Sequence, residues 1–222
     1  MYGSILSALN LQRLEYRVFY ETKENNHGLP HDPFKSCVVP RCIGWISSIS
    51  ASGIVNLAPY SFFNAIASNP HMVMFGTGGR HTHGVKDSIT NIEQTGEFVC
   101  NLTTWETREQ MSLSSASTEP DVDEFAYAKL EAQPSVMVKP PRVKASPIHL
   151  ECTYYQTLEL PADDPDPLAR NAMVIGTVVG IHISDSVLTD GMVDMSKFRP
   201  IARMGYMDYS VVEKVFTMPF PK

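Results

Sequence analysis

Two long apolar segments near the C-terminal end constrain this chain most. Residues 149–160 alternate in part between apolar and polar side chains, and residues 173–183 are nearly continuous in Val and Ile. Both read as long strands, because β-branched side chains suit a pleated, packed surface. The acidic, proline-rich stretch 161–171 between them reads as an exposed loop. Two strands of this length commit the chain to a sizeable sheet. Strands do not alternate regularly with long helices, which disfavours a parallel doubly wound sheet.

The preceding residues add further strands and turns. Residues 41–50 read as a strand, Ala51-Ser52-Gly53 as a tight turn, and Ile54 onward as the returning strand of a hairpin. Pro59 is expected to stop that strand, since it has no N–H for a ladder. Ser61 is expected to cap a short helical turn from Phe62, ended by Asn69-Pro70. Residues 71–75 and 97–102 read as strands, and residues 87–95 as a helix closed by Gly96. Thr103-x-x-Glu106 matches a capping box opening a helix through about Ser114. Residues 115–147 are the least regular, with Asp121-x-x-Glu124 expected to cap one turn. Residues 211–216 read as a last strand or docking segment. The predicted architecture is mainly β: an antiparallel barrel with a few peripheral α-helices. Residues 1–17 are expected to be an extension, with a short helix carrying Leu6, Leu9 and Leu14, and residues 18–222 one domain.

A chain of 222 residues with 43% apolar content is long enough for one packed core. The net charge of −6, with cations scattered along the chain, disfavours nucleic acid and anionic membranes as partners. No apolar run is long enough to span a bilayer, and the first residues lack the basic start of a secretory leader. Cys37, Cys42, Cys100 and Cys152 form no Cys-x-x-Cys pair and complete no zinc pattern. They read as reduced cysteines, and the expected location is cytoplasmic. His81 and His83 lack a third ligand, so no metal is expected.

Two stretches carry candidate chemistry. Residues 56–64, Asn-Leu-Ala-Pro-Tyr-Ser-Phe-Phe-Asn, form a strand broken at a proline beside aromatic rings. Backbone amides, hydroxyls and apolar rings together make a ledge suited to a planar, heteroatom-rich ligand, or simply a barrel corner. Residues 76–88 form a glycine-rich loop carrying Arg80 and Lys86 and running into a helix start at Asp87-Ser88. Glycines admit backbone amides, a helix start presents N–H groups, and two cations balance an anion. This suits a phosphate, or a surface loop with a well-capped helix. It is neither a Walker A loop nor a dinucleotide fingerprint.

Six pieces in order resemble one family. They are Arg41-x-Ile43-Gly44-Trp45-Ile46-Ser47-Ser48, residues 56–64, Lys86-Asp87-Ser88-x-x-Asn91-Ile92, Ser146-Pro147-x-His149-Leu150-Glu151-Cys152, Ile175-Gly176-x-Val178-Val179-Gly180-Ile181-His182, and Arg199-Pro200-Ile201-Ala202-Arg203-x-Gly205-Tyr206. Together they resemble the flavin reductase-like family of FMN-binding split-barrel proteins, over about residues 20–216. The resemblance implies a homodimer of antiparallel split barrels with FMN near the interface. It implies a ring slot at Ala58, Pro59, Tyr60, Ser61, Phe62 and Asn64. It also implies a ribityl or phosphate contact at Ser47 and Ser48, and a phosphate site at Arg80, Lys86, Asp87 and Ser88. Cys42 stands where the family often has proline.

The implied activity is NAD(P)H-dependent flavin reduction, with NADH or NADPH as reductant and a partner monooxygenase or another acceptor downstream. Hydride chemistry then resides on the flavin, and no protein nucleophile or acid is expected. The segment around Arg203-Met204-Gly205-Tyr206 is the expected lining of the open flavin face. An FMN-bound electron carrier, or an oxidoreductase on another small substrate, is the alternative reading. A barrel without cofactor is a third.

Overall fold

The computed structural model describes residues 18–78, 84–119, 122–163, 166 and 169–221. The expectations for residues 1–17, Arg80, His81, His83 and Asp121 lie outside these.

The chain begins with α1 (Phe34–Cys37), β1 (Arg41–Cys42), β2 (Gly44–Ile49) and β3 (Val55–Tyr60). Next come β4 (Phe62–Ser68), β5 (His71–Thr77), α2 (Asp87–Thr95) and β6 (Glu97–Leu102). The middle holds α3 (Arg108–Leu113), α4 (Glu124–Tyr127) and the short pair β7 (Ala132–Gln133) and β8 (Arg142–Val143). The long hairpin β9 (Ile148–Leu160) and β10 (Asn171–Ile183) follows. The chain ends with β11 (Leu188–Thr189), β12 (Met192–Val193), α5 (Met195–Phe198), β13 (Ile201–Arg203) and β14 (Tyr209–Val211).

Seven strands form one sheet in the order β3-β2-β6-β9-β10-β5-β4, antiparallel throughout. The β9–β10 hairpin is its spine, as the apolar pattern predicts. The two edge strands, β3 and β4, are consecutive in the chain and meet at Ser61. The sheet therefore curls into a barrel whose seam is bridged covalently rather than by a ladder. The Tyr60 ring reaches across to Phe75 of β5 at 4.7 Å.

Side chains alternate across this sheet, so β2 serves two cores. Ile46 faces the barrel interior with Phe75, Phe98, Val174 and the α2 residues Ile89 and Ile92. Trp45 faces outward into a second core with Leu57, Met111, Phe125 and Ile201. Trp45 is fully buried, and its indole Nε1 donates to Ser114 Oγ at 2.8 Å, so its polar end is satisfied.

Pro59 does not stop the strand. It lies inside β3, opposite Trp45 of β2. Leu57, two residues earlier, turns its N–H away from β2 to Glu124 Oε2 at 2.9 Å. Antiparallel pairing alternates, so the N–H that Pro59 lacks would also have pointed away from β2. No ladder bond is lost. The expected helical turn after Ser61 is instead β4, paired with β5, and Asn69-Pro70 is the turn of that hairpin. Pairing with β5 outweighs the local capping signal. Likewise Glu106 forms no capping box. It pairs with Arg199 at 2.7 Å, and α3 starts later, at Arg108. Ladder pairing ends at Val211, so residues 212–216 form no strand.

Candidate functional site

The β3–β4 corner and the start of α2 border the same space. Pro59, Tyr60, Ser61 and Phe62 line a groove of about 1010 Å³, together with Thr77, Gly78 and Lys86. Residues of the N-terminal arm and of the β13–β14 turn line the same groove, among them Asp32, Lys35, Arg203 and Tyr206. A smaller pocket of about 90 Å³ adjoins it, lined by Ala58, Lys86, Asp87, Ser88, Glu124 and residues 114–118. Pro59, Tyr60, Lys86 and Ser115 border both spaces, so the two are continuous.

The helix α2 is positioned by its apolar face, with Ile89 and Ile92 in the barrel core. No side chain caps its start at Lys86. The first-turn N–H groups and the positive end of the helix dipole are thus presented at the small pocket. Gly96 ends the helix in the left-handed region at φ 77°, as the sequence predicts.

A buried hydrogen-bond network joins ledge and helix. Ser88 Oγ donates to Asn56 Oδ1 at 2.7 Å, and Asn56 Nδ2 donates to Glu124 Oε2 at 3.1 Å. The other Glu124 oxygen accepts from Thr118 Oγ1 at 3.0 Å. Ser48 Oγ donates to Asn56 Oδ1 at 3.4 Å and accepts from Asn91 Nδ2 at 3.2 Å. One side chain, Asn56, therefore couples the ledge strand to α2 and α4. Burial pushes the Glu124 carboxyl above its ordinary range; bonds from Leu57 and Thr118 offset this in part, and nearby Asp87 adds to it. Burial likewise raises the Tyr60 hydroxyl, against the opposing effect of Ser88.

The expected site residues divide by position. Ala58, Pro59, Tyr60, Ser61, Phe62, Lys86, Asp87 and Ser88 meet on the two walls. Ser47 is fully buried; its hydroxyl donates to Pro141 O at 2.6 Å and accepts from Asn101 at 3.2 Å, away from the groove. Ser48 sits behind the small pocket, in the Asn56 network. Asn64 is exposed on β4, with its Oδ1 accepting from Ala65 N at 2.9 Å. Sequence reasoning missed Glu124 and residues 114–118. The hydroxyl-rich run Ser112-x-Ser114-Ser115-x-Ser117-Thr118 after a helix was the available signal. It also missed Arg41 as an organiser. That guanidinium, 7% exposed, donates to the carbonyls of Lys35, Val38 (2.9 Å) and Met204 (2.9 Å). It thereby ties the arm to the β13–β14 turn. Cys42 is exposed, and all four cysteines are free thiols.

Residues 36–202 match the family model described as flavin reductase like domain. The chain belongs to that family. The six ordered pieces, from Arg41 to Tyr206, had pointed to it. As a flavin reductase-like protein it has a curated relative in Aquifex aeolicus, an uncharacterized protein, 36% identical over 169 residues. The match covers 76% of this chain and 82% of the relative. Its fold is also that of nitrilotriacetate monooxygenase component B from Bacillus cereus, with a TM-score of 0.81 at 24% identity. That superposition covers 90% of this chain and 98% of the other. The flavoredoxin of Desulfovibrio vulgaris (Miyazaki F) superposes with a TM-score of 0.71 at 17% identity, over 82% of this chain and 92% of its own. Membership of this family supports flavin-related oxidoreductase chemistry.

Proposed function

We propose that this flavin reductase-like protein holds FMN along the β3–β4 ledge and reduces flavin with NADH or NADPH. The observation that carries the reading is one continuous wall joining a large slot to a small pocket at a helix start. A ring system and a phosphate, joined by a polar chain, need such a pair of spaces. Thr77 adds a second point of fit. It lines the groove, and its buried hydroxyl has no hydrogen-bond partner among the described residues. A heteroatom-rich ligand would supply one.

The phosphate would lie at Lys86, Ser88 and the start of α2, with Arg80 as a further expected cation. The ring would lie against Pro59, Tyr60, Ser61 and Phe62. Ser48 acts from behind, by holding Asn56. Bound FMN supplies the hydride-accepting centre. The chain's own residues orient and shield. Tyr60 packs on Phe75 and stiffens the slot. Asn56 holds the ledge to α2 through Ser88, and Glu124 ties it to α4.

The same reading extends to assembly. Tyr155, Leu158, Val179, Ile181 and Ile183, on β9 and β10, are exposed apolar residues, which supports a homodimer that covers them. Exposed free thiols at Cys37 and Cys42 suit a reducing cytoplasm. No helix among the described residues is long and apolar enough to cross a membrane. The acceptor of the reduced flavin is proposed to be a partner oxygenase, in line with the component name of the Bacillus cereus neighbour.

The test is oxidation of NADH and NADPH by the purified protein, with and without added FMN, alongside its flavin content. Flavin-stimulated oxidation is expected. A flavin-loaded dimer that oxidises neither nucleotide would instead fit an electron carrier. A preparation that neither carries nor takes up FMN would end the reading.

A further inference from the structure

The described arginines divide in two. Arg108, Arg142, Arg170 and Arg199 each pair with a carboxylate, at 3.0, 3.9, 2.8 and 2.7 Å respectively. Arg41 and Arg203 have no carboxylate partner among the described residues, and both line the groove. The Lys35 ammonium, exposed on the same wall, also has no partner among the described residues. One carboxylate, Asp32, lines the same groove, so Lys35, Arg41, Lys86 and Arg203 leave the groove with an excess of cations in a chain of net charge −6. Unpaired guanidinium groups in a cleft attract and orient anions. Lys86 and the start of α2 already suffice for one phosphate. The cations of the arm, β1 and the β13–β14 turn are additional to it.

Arm, turn and ledge are tied together at Arg41. Its guanidinium donates to three carbonyl oxygens, from the arm and from the β13–β14 turn, and to Ser61 Oγ of the ledge at 3.5 Å, and it lies 5.9 Å from the Phe62 ring centroid. Burial, and then the charge of Arg203, pull its pKa below the ordinary value. The arm packs so closely on the turn that a Cβ at Gly205 would lie 2.1 Å from Ser36 Oγ. Only glycine permits this approach. Arg203 donates to the carbonyl of Tyr206 and lies 4.5 Å above the Tyr209 ring. Tyr206 itself sits at φ 48°, a region that bulky side chains rarely occupy. Its ring is half-exposed and lines the groove.

We propose that Arg203 and Lys35, with Arg41 behind them, form a second anion subsite that recognises the diphosphate of the nicotinamide dinucleotide. The proposal rests on the reductase reading above and adds the residues that select the reductant. Recognition of the diphosphate at Lys35 and Arg203, which belong to the arm and the β13–β14 turn, leaves the nicotinamide free to lie over the slot. Tyr206, half-exposed in the groove lining, is then available to the adenine ring.

The test is titration of the flavin-loaded protein with ADP-ribose, which carries the diphosphate and no nicotinamide, by calorimetry. Arg203→Gln is expected to weaken binding roughly 10- to 100-fold, the effect of losing a charge-assisted bond. Lys35→Gln, on an exposed side chain, is expected to weaken it about two- to fivefold. KM for NADH and NADPH should rise in the same order, with a shallower salt dependence, while flavin content per subunit stays at the wild-type level. If Arg203→Gln disrupts the turn, Lys35→Gln still decides. Wild-type protein that binds no ADP-ribose, unchanged affinity in both variants, or loss of flavin in step with ADP-ribose would overturn the subsite. Failure of the reductase reading looks different: no nucleotide oxidation by the wild type, whatever ADP-ribose does.

Discussion

Two buried glutamates clamp this barrel, and they are solved in opposite ways. Glu151, on β9, is fully buried and accepts from the N–H groups of Val136 (2.9 Å) and Met137 (2.6 Å). It also meets His182 Nε2 at 2.5 Å and Arg142 Nε at 3.9 Å. Burial pushes its carboxyl up, but the two N–H groups and His182 outweigh burial and hold it below the ordinary range. Glu124, on α4, is also buried and clamps the edge of β3, yet no cation among the described residues pairs with it. Its carboxyl is held above the ordinary range. The difference separates scaffold from site. Away from the groove, charge is buried with its counter-charge. At the small pocket, Glu124 is buried without a cation partner among the described residues, and perturbed groups of that kind cluster at binding sites.

The comparison breaks most easily at Glu151. Glu151→Ala leaves His182 and Arg142 without their carboxylate and two loop N–H groups unpaired. A loss of about 3–5 kcal/mol is expected in denaturant unfolding. A loss below that of Glu124→Ala would refute the scaffold assignment. Next in size is Lys86→Ala, which should weaken FMN retention roughly tenfold or more. Unchanged FMN affinity by equilibrium dialysis would remove Lys86 from the site. Glu124→Ala orphans the Leu57 N–H, at about 1–3 kcal/mol. It should also loosen the ledge, so flavin fluorescence on titration would report weaker binding. If stability falls while FMN affinity is untouched, Glu124 belongs with the scaffold.

The smallest effects lie in the pH profile, where the two clamps have opposite signs. For Glu124, the folded chain keeps its proton longer than the unfolded chain. Its contribution is full below the ordinary Glu value of 4.5 and is lost as pH rises through the folded value. For Glu151, the contribution is full above 4.5 and is lost as pH falls through its depressed value. His149, which burial holds at about 4 against the opposing effect of the Val143 carbonyl, works in the acid direction too. The unfolded chain takes that proton first, so stability is lost as pH falls from 6.5 towards 4. Glu124→Gln should therefore flatten the profile above pH 4.5, and Glu151→Gln should flatten the acid limb. The same limb flattened by both variants would erase the distinction.

Local pattern determined a good deal here. Partial alternation in β9 and a Val and Ile run in β10 specified the spine, glycine ended α2, and six short pieces in order identified the family. These signals are legible because each is a property of neighbouring residues: strand propensity, a left-handed cap, a motif. Where the sequence misled, a distant partner had overridden a local signal. Pairing with β5 turned the supposed helical turn at Phe62 into a strand, and edge register let Pro59 remain in β3 without losing a bond. Glu106 answered Arg199 rather than its own helix start. The site shows the same division. The ledge and the α2 start could be read locally. Glu124, residues 114–118, Arg41 and Arg203 come from segments far apart in the chain, and only tertiary packing brings them to two adjoining spaces, with no ion pair between Arg41 or Arg203 and a carboxylate among the described residues.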